Sequence, residues 1–138
     1  MKIISTDKAP GAVGPYSQAI VSNGFVFASG QIALDPLTGQ VNGSSIQEQA
    51  HQVCRNVRAL LEAAGSDISK VVKTTCFLAY MADFADFNAV YAGYFTSKPA
   101  RSCVAVKELP MGVLCEIEVI AELNEPEPEE EPEAEAEE

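Results

Sequence analysis

PARSCVAVKELPMGVLCEIEVIA, residues 99–121, carries the reading of the fold. Two apolar runs flank Leu109-Pro110-Met111-Gly112, and the turn-forming Pro and Gly predict two strands folded about that point. In the second run Val113, Cys115, Ile117, Val119, Ala121 and Leu123 alternate with Leu114, Glu116, Glu118, Ile120 and Glu122, so one face is dry and the other mixed. Arg101, Glu116 and Glu118 are charges inside otherwise apolar strands. Spacing alone leaves two readings open. They are solvated edge or interface charges, or Arg101 offers a planar fork to a carboxylate while Glu116 handles a proton or a water.

Working outward, VVKTTCFLAYM (71–81) is rich in β-branched and aromatic residues and predicts a strand. A helix follows in which Phe84, Phe87, Tyr91, Tyr94 and Phe95 recur at helical spacing, with Asp83 as its expected cap and Pro99 closing the segment. Upstream, Ile46, Ala50, Val53, Val57, Leu60, Leu61 and Ala64 form one apolar stripe. Ser45 and Glu48 have capping-box spacing, and Gly65 suits the left-handed position after the helix. AIVSNGFVFASGQI (19–32) predicts a hairpin about Asn23-Gly24. The order strand, strand, strand, helix, strand, helix, strand, strand predicts an α+β fold with one mixed six-stranded sheet and both helices on the same face. Leu114 and Ile120 then lie on the uncovered face, which points to a closed homo-oligomer with sites at its seams.

Charge divides along the chain. Nine of the −11 net charges are glutamates in residues 125–138, leaving −2 in residues 1–124. The organisation expected is therefore one domain, 1–124, followed by an acidic Glu/Pro tail, 125–138, too poor in apolar residues to order itself. No apolar run approaches the roughly 18 residues of a membrane span. The first residues lack a secretory signal pattern, so a cytoplasmic location is expected. Cys54, Cys76, Cys103 and Cys115 lack close C-x-x-C pairing and read as reduced, mostly buried thiols.

Several chemistries find little support. His51 is the sole histidine and projects away from its helix's apolar stripe, which disfavours a Ser-His-Asp or Cys-His triad and a zinc site. Neither a P-loop nor a G-x-G-x-x-G fingerprint occurs. The near-neutral body does not favour nucleic acid as a partner.

GPYSQAI (14–20), ASGQI (28–32), PARSCVAVKELP (99–110) and EIEVIA (116–121), in that order and spacing, resemble the Rid (YjgF-like) family of enamine/imine deaminases. The resemblance covers residues 1 to about 124. It implies a chorismate-mutase-like subunit and a homotrimer with clefts between subunits. The implied reaction is hydrolysis of 2-imino acids and their enamine tautomers to 2-oxo acids and ammonia, with no cofactor or metal. By position it implies that Arg101 binds the substrate carboxylate and Glu116 activates the attacking water. Backbone groups of Gly30 and Cys103 would flank the reacting carbon and nitrogen, and Tyr16, Ser29, Phe87 and Asn88 would line the cleft. Phe87 reads equally as core, Tyr16 as a loop anchor, and Glu118 as structural. Endoribonuclease and chaperone-like or ligand-binding relatives are the alternatives. The acidic tail departs from the family pattern.

Overall fold

The strand Cys115–Glu122 occupies the middle of a six-stranded sheet, and its alternation sets the architecture. In this computed structural model, which describes residues 1–125, the elements run β1 Lys2–Ile4, β2 Ala19–Ser22, β3 Phe25–Gln31, α1 Ile46–Ala63, β4 Val71–Leu78, α2 Phe84–Tyr94, β5 Ala100–Ala105 and β6 Cys115–Glu122. The tail expected at 125–138 lies, but for its first residue, outside the described residues. Strand order is β1-β2-β3-β6-β4-β5. Only β4 and β5 are parallel; the other pairs are antiparallel.

This order corrects the reading of residues 99–121 as a hairpin. β5 and β6 do not pair; β4 lies between them. The cause is α2. As a crossover helix it returns the chain parallel to β4 and places β5 on that strand's outer edge, leaving the inner edge for β6. The Pro110–Gly112 segment is a short 3-10 turn within a longer connection, with Met111 at a positive φ of 58°.

Cys115, Ile117, Val119 and Ala121 of β6 are buried in one core with Val53, Val57, Leu60 and Leu61 of α1 and Phe87 and Tyr91 of α2. Both helices thus cover the same face. Fully burying side chains of this size stabilises the fold by about 1.5–3 kcal/mol each, so this core is the main adhesive. Leu114, expected on the open face, instead packs against the core, and its amide donates to Gln49 Oε1 at 2.8 Å. The opposite face does carry apolar groups. Ile3, Phe27 and Phe25 are 62%, 44% and 36% exposed, and Ile20 and Ile120 are half-buried.

The capping box at Ser45 and Glu48 forms as the spacing requires. The Ser45 hydroxyl accepts from the Glu48 amide, and the Glu48 carboxylate accepts from the Ser45 amide. Gly65 takes a φ of 85° just beyond α1, and Asn23-Gly24 make the β2–β3 turn with φ of 54° and 83°. Asp83, by contrast, makes no side-chain cap. A 3-10 turn, Met81–Asp83, runs directly into α2, and the Asp83 amide already donates to Tyr80 O at 3.1 Å.

One polar row along α1 fastens the loop after β3. Asn56, 1% exposed, donates to the carbonyls of Ile32 and Leu34 at 3.1 and 2.9 Å and accepts from Gln52 Nε2 at 2.8 Å. Loss of a donor to such a carbonyl costs about 1–3 kcal/mol, and the Ile32 carbonyl keeps the Leu34 amide at 2.8 Å. Asn56→Ala is therefore expected to destabilise the chain by about 2–3 kcal/mol, seen as a lower urea midpoint with an unchanged slope.

Candidate functional site

Arg101 and Glu116 sit on opposite faces of the sheet. Arg101 pairs with Thr74 across β4–β5, and Thr74 points to the helices, where its hydroxyl bonds Tyr91 Oη at 2.7 Å. Glu116 pairs with Phe77, three positions further along β4, and points to the open face. Two strand spacings and three residues of rise place their Cα atoms roughly 14 Å apart, with the sheet between the side chains. Within one chain they cannot contact the same small molecule.

Each charge has its own hollow. The first, of about 520 Å³, is lined by Glu116, Glu118, Tyr16, Ser29, Gly30 and Gln18, with Ile32, Leu34 and Met111 at its rim. Its floor is a β-bulge. Between the pairs Ala28–Val119 and Gln31–Ile117, Ser29 and Gly30 stand opposite the single residue Glu118. Glu116 lies directly over Gly30. A Cβ placed there would overlap Glu116 Oε2 and fall 2.9 Å from its Cδ, so any larger residue would displace the carboxylate from this position. Burial pushes the Glu116 carboxyl up, and the neighbouring Glu118 charge pushes in the same direction. Such a carboxylate is a better proton acceptor than an ordinary one.

Ser29 faces the loop that walls this hollow; its hydroxyl donates to Ser17 O at 2.6 Å and its amide to Gln18 O at 2.9 Å. Tyr16 is half-exposed, and its hydroxyl accepts from the Val13 amide at 3.3 Å. It is thus a loop anchor whose ring still borders the cavity.

The second hollow, of about 530 Å³, is lined by Arg101, Asn88, Tyr91, Phe95, Lys98 and Pro99. The Arg101 guanidinium donates to Asn88 Oδ1 at 2.8 Å and lies 4.7 Å from the Tyr91 ring centroid and 5.5 Å from that of Phe84. These contacts fix the plane of the fork while using a neutral amide, so its charge stays available to an anion. Tyr91 is held in turn by Thr74, by Phe95 stacked at 4.4 Å and by Phe87 at 5.8 Å. Phe87 is completely buried, so it supports Tyr91 from the core and does not wall the hollow.

Cys103 is half-buried on the same face of β5 as Arg101, two residues on, and pairs with Cys76 of β4. Burial pushes its thiol up, opposed by Arg101. Cys76 and Cys115 are pushed up to about 12 by the same cause. All four cysteines are free thiols, and burial keeps them protonated. Exposed His51 bonds Tyr94 Oη through Nδ1 at 3.1 Å, away from either hollow. Among the described residues no group of three His, Cys, Asp or Glu side chains converges as a metal site requires, and no helix is long and apolar enough to cross a membrane.

The two linings differ in charge. Among the described residues the Glu116 hollow holds two carboxylates and no lysine or arginine, and the Arg101 hollow holds two cations and no carboxylate. Lys98, Tyr91 and Phe84 join Arg101 only through the fold, outside the quoted motifs. The aromatic spacing of α2 and the cation one residue before Pro99 were the signals available for them.

Residues 6–123 match the family model described as Endoribonuclease L-PSP. The human 2-iminobutanoate/2-iminopropanoate deaminase is 46% identical over 121 residues, covering 87% of this chain and 88% of that protein. The RutC family protein PH0854 of Pyrococcus horikoshii is 50% identical, covering 87% and 96%. Among solved structures, Escherichia coli TdcF with bound serine superposes with a TM-score of 0.84 at 43% identity, covering 88% of this chain and 98% of that one.

Glu116 supplies a stability test independent of any substrate. A carboxyl whose folded value is raised favours folding below its unfolded value and loses that contribution as pH rises through the folded one. Glu116→Gln removes the cost of burying the charge. Its urea midpoint is expected to exceed that of the native chain slightly at pH 7.5 and to equal it near pH 3.5.

Proposed function

The chain belongs to the endoribonuclease L-PSP family, also called the Rid or YjgF-like family, and from that premise we propose that it hydrolyses 2-imino acids and their enamine tautomers to 2-oxo acids and ammonia. The observation that carries the proposal is the combination of an Arg101 fork held by Asn88, with no carboxylate beside it among the described residues, and a glycine-cradled, elevated Glu116 carboxylate. The name of the human relative and the serine bound to the bacterial one support an amino-acid-derived substrate.

The chemistry follows from the groups. Arg101 takes the substrate carboxylate in two parallel N–H···O contacts, a charge-assisted interaction worth about 1.5–3 kcal/mol. Glu116 accepts a proton from water as the water oxygen bonds to the imine carbon. The carboxyl hands that proton to the nitrogen, giving an amino alcohol; the second proton, from the hydroxyl, is relayed the same way as the C–N bond breaks, ammonia leaves and the C=O bond forms. General-base assistance of this kind contributes about 10²–10⁴-fold in rate. Gly30 and Cys103 supply backbone groups beside the reacting atoms, Ser29, Tyr16 and Asn88 shape the walls, and Phe87 supports the Arg101 side from beneath.

Because Arg101 and Glu116 lie on opposite faces of one sheet, the active site in this proposal is shared. The Arg101 hollow of one copy meets the Glu116 hollow of the next in a closed homo-oligomer, a trimer in the family's arrangement. Their opposite charges favour that encounter, and the exposed Ile3, Phe25 and Phe27 give the open face a reason to be covered. Four free thiols fit a reducing, cytoplasmic compartment. RNA cleavage is the second reading, resting on the family's description. The paired carboxylates beside Gly30 would repel a phosphate, which weighs against it.

An imino acid generated in situ by an amino-acid oxidase and trapped with semicarbazide tests the proposal. The native protein is expected to suppress the trapped product, and Glu116→Gln to retain about 1% or less of that activity. Arg101→Lys is expected to fail nearly as badly as Arg101→Ala, because an ammonium cannot form the two-pronged contact. Equal trapping with and without the native protein would reject the deaminase reading.

A further inference from the structure

We propose that Gln18 is a positioning residue that sets the width of the Glu116 hollow by holding segment 6–10 against the sheet; the inference rests on the reading of that hollow as a catalytic half-site. Gln18 is the last residue before β2 and is 5% exposed. Its side-chain amide is fully used on one short stretch of chain. Oε1 accepts from the Thr6 amide at 2.7 Å, and Nε2 donates to the carbonyls of Thr6, Pro10 and Ala9 at 3.0, 2.8 and 3.3 Å.

That stretch has little else to fix it. β1 ends at Ile4 and β2 begins at Ala19, so residues 5–18 form a long connection without regular backbone pairing. Ala9 is the one apolar residue of 5–17 buried in the core. Pro10, Gly11 and Val13 line the Glu116 hollow, and Val13 is 92% exposed. A loop with so few buried contacts takes its position from its polar ties.

Gln18 also reaches the floor of the hollow. Its own carbonyl accepts from the Ser29 amide at 2.9 Å, and Ser29 is the first residue of the bulge whose second, Gly30, carries Glu116. One residue therefore ties the wall, by its side chain, to the floor, by its backbone. A shorter or apolar side chain would leave the floor intact and release the wall.

A wall remote from the bond-making atoms would contribute equally to binding substrate and transition state, so its release is expected to raise KM and spare kcat. Gln18→Met keeps the volume and the apolar stem and removes all four side-chain hydrogen bonds. In the imine-hydrolysis assay it is expected to raise KM about tenfold with kcat within about threefold of the native value. Hydrogen exchange of the amides in 6–17 is expected to accelerate while those of β3 and β6 keep their protection. Gln18→Glu, which replaces the donor with an acceptor facing three carbonyls, is expected to show the same split more strongly.

A folded Gln18→Met protein with native KM and native exchange in 6–17 would overturn the inference while leaving the deaminase reading untouched. Lowered thermal stability with an unchanged KM would reduce Gln18 to a structural role and likewise overturn it. A native protein without imine-hydrolysing activity would bring down the underlying reading, and this inference with it.

Discussion

The period-two alternation of β6 is the constraint on which the rest depends. Cys115, Ile117, Val119 and Ala121 are buried beneath the two helices, which forces Glu116 and Glu118 onto the opposite face. A register slip of one residue would bury both glutamates in the helical core, an error whose cost in desolvated charge the fold cannot absorb. Glu116 is thereby fixed in depth and direction by residues that have no chemistry of their own. The bulge at Ser29 and Gly30 adds the one local adjustment required, a gap in the neighbouring strand for the carboxylate.

The same alternation, carried across β4 to β5, turns Arg101 the other way. Thr74 and Arg101 share the helical face, and α2 supplies the guanidinium's surroundings: Asn88 for a hydrogen bond, Tyr91 and Phe84 for cation–π contact. One sheet therefore presents a cationic hollow on one face and an acidic hollow on the other. In the proposed reading each hollow is half of a site, and self-association would bring the complementary halves together.

Much of this was legible in the residues. The capping box at Ser45, the turn at Asn23-Gly24 and the alternation of 113–123 are local signals, and each element forms where its chemistry requires. The pairing of β6 with β3 and β4 was not legible, because strand neighbours are chosen by tertiary packing. Leu109 to Gly112 carries good turn residues yet makes no hairpin, since the α2 crossover had already placed β5 beside β4. Asp83 shows the same limit on a smaller scale, because the 3-10 turn that runs into α2 leaves its backbone outside the extended conformation of a capping residue. The candidate site divides similarly. Motif spacing pointed to Arg101, Glu116 and Gly30, but that Phe87 supports from the core, and that Gln18 and Asn56 hold the loops around Glu116, depends on hydrogen bonds spanning 8 to 24 positions.

The central claim is that a working site takes Arg101 from one copy and Glu116 from another. Refolding an equimolar mixture of Arg101→Ala and Glu116→Gln chains, each inactive alone, tests it directly. Random assembly into closed rings would place an intact arginine opposite an intact glutamate at about a quarter of the seams. Imine hydrolysis restored to that fraction of the native rate is the expected result. A mixture as inactive as its components, though fully assembled, would contradict the account.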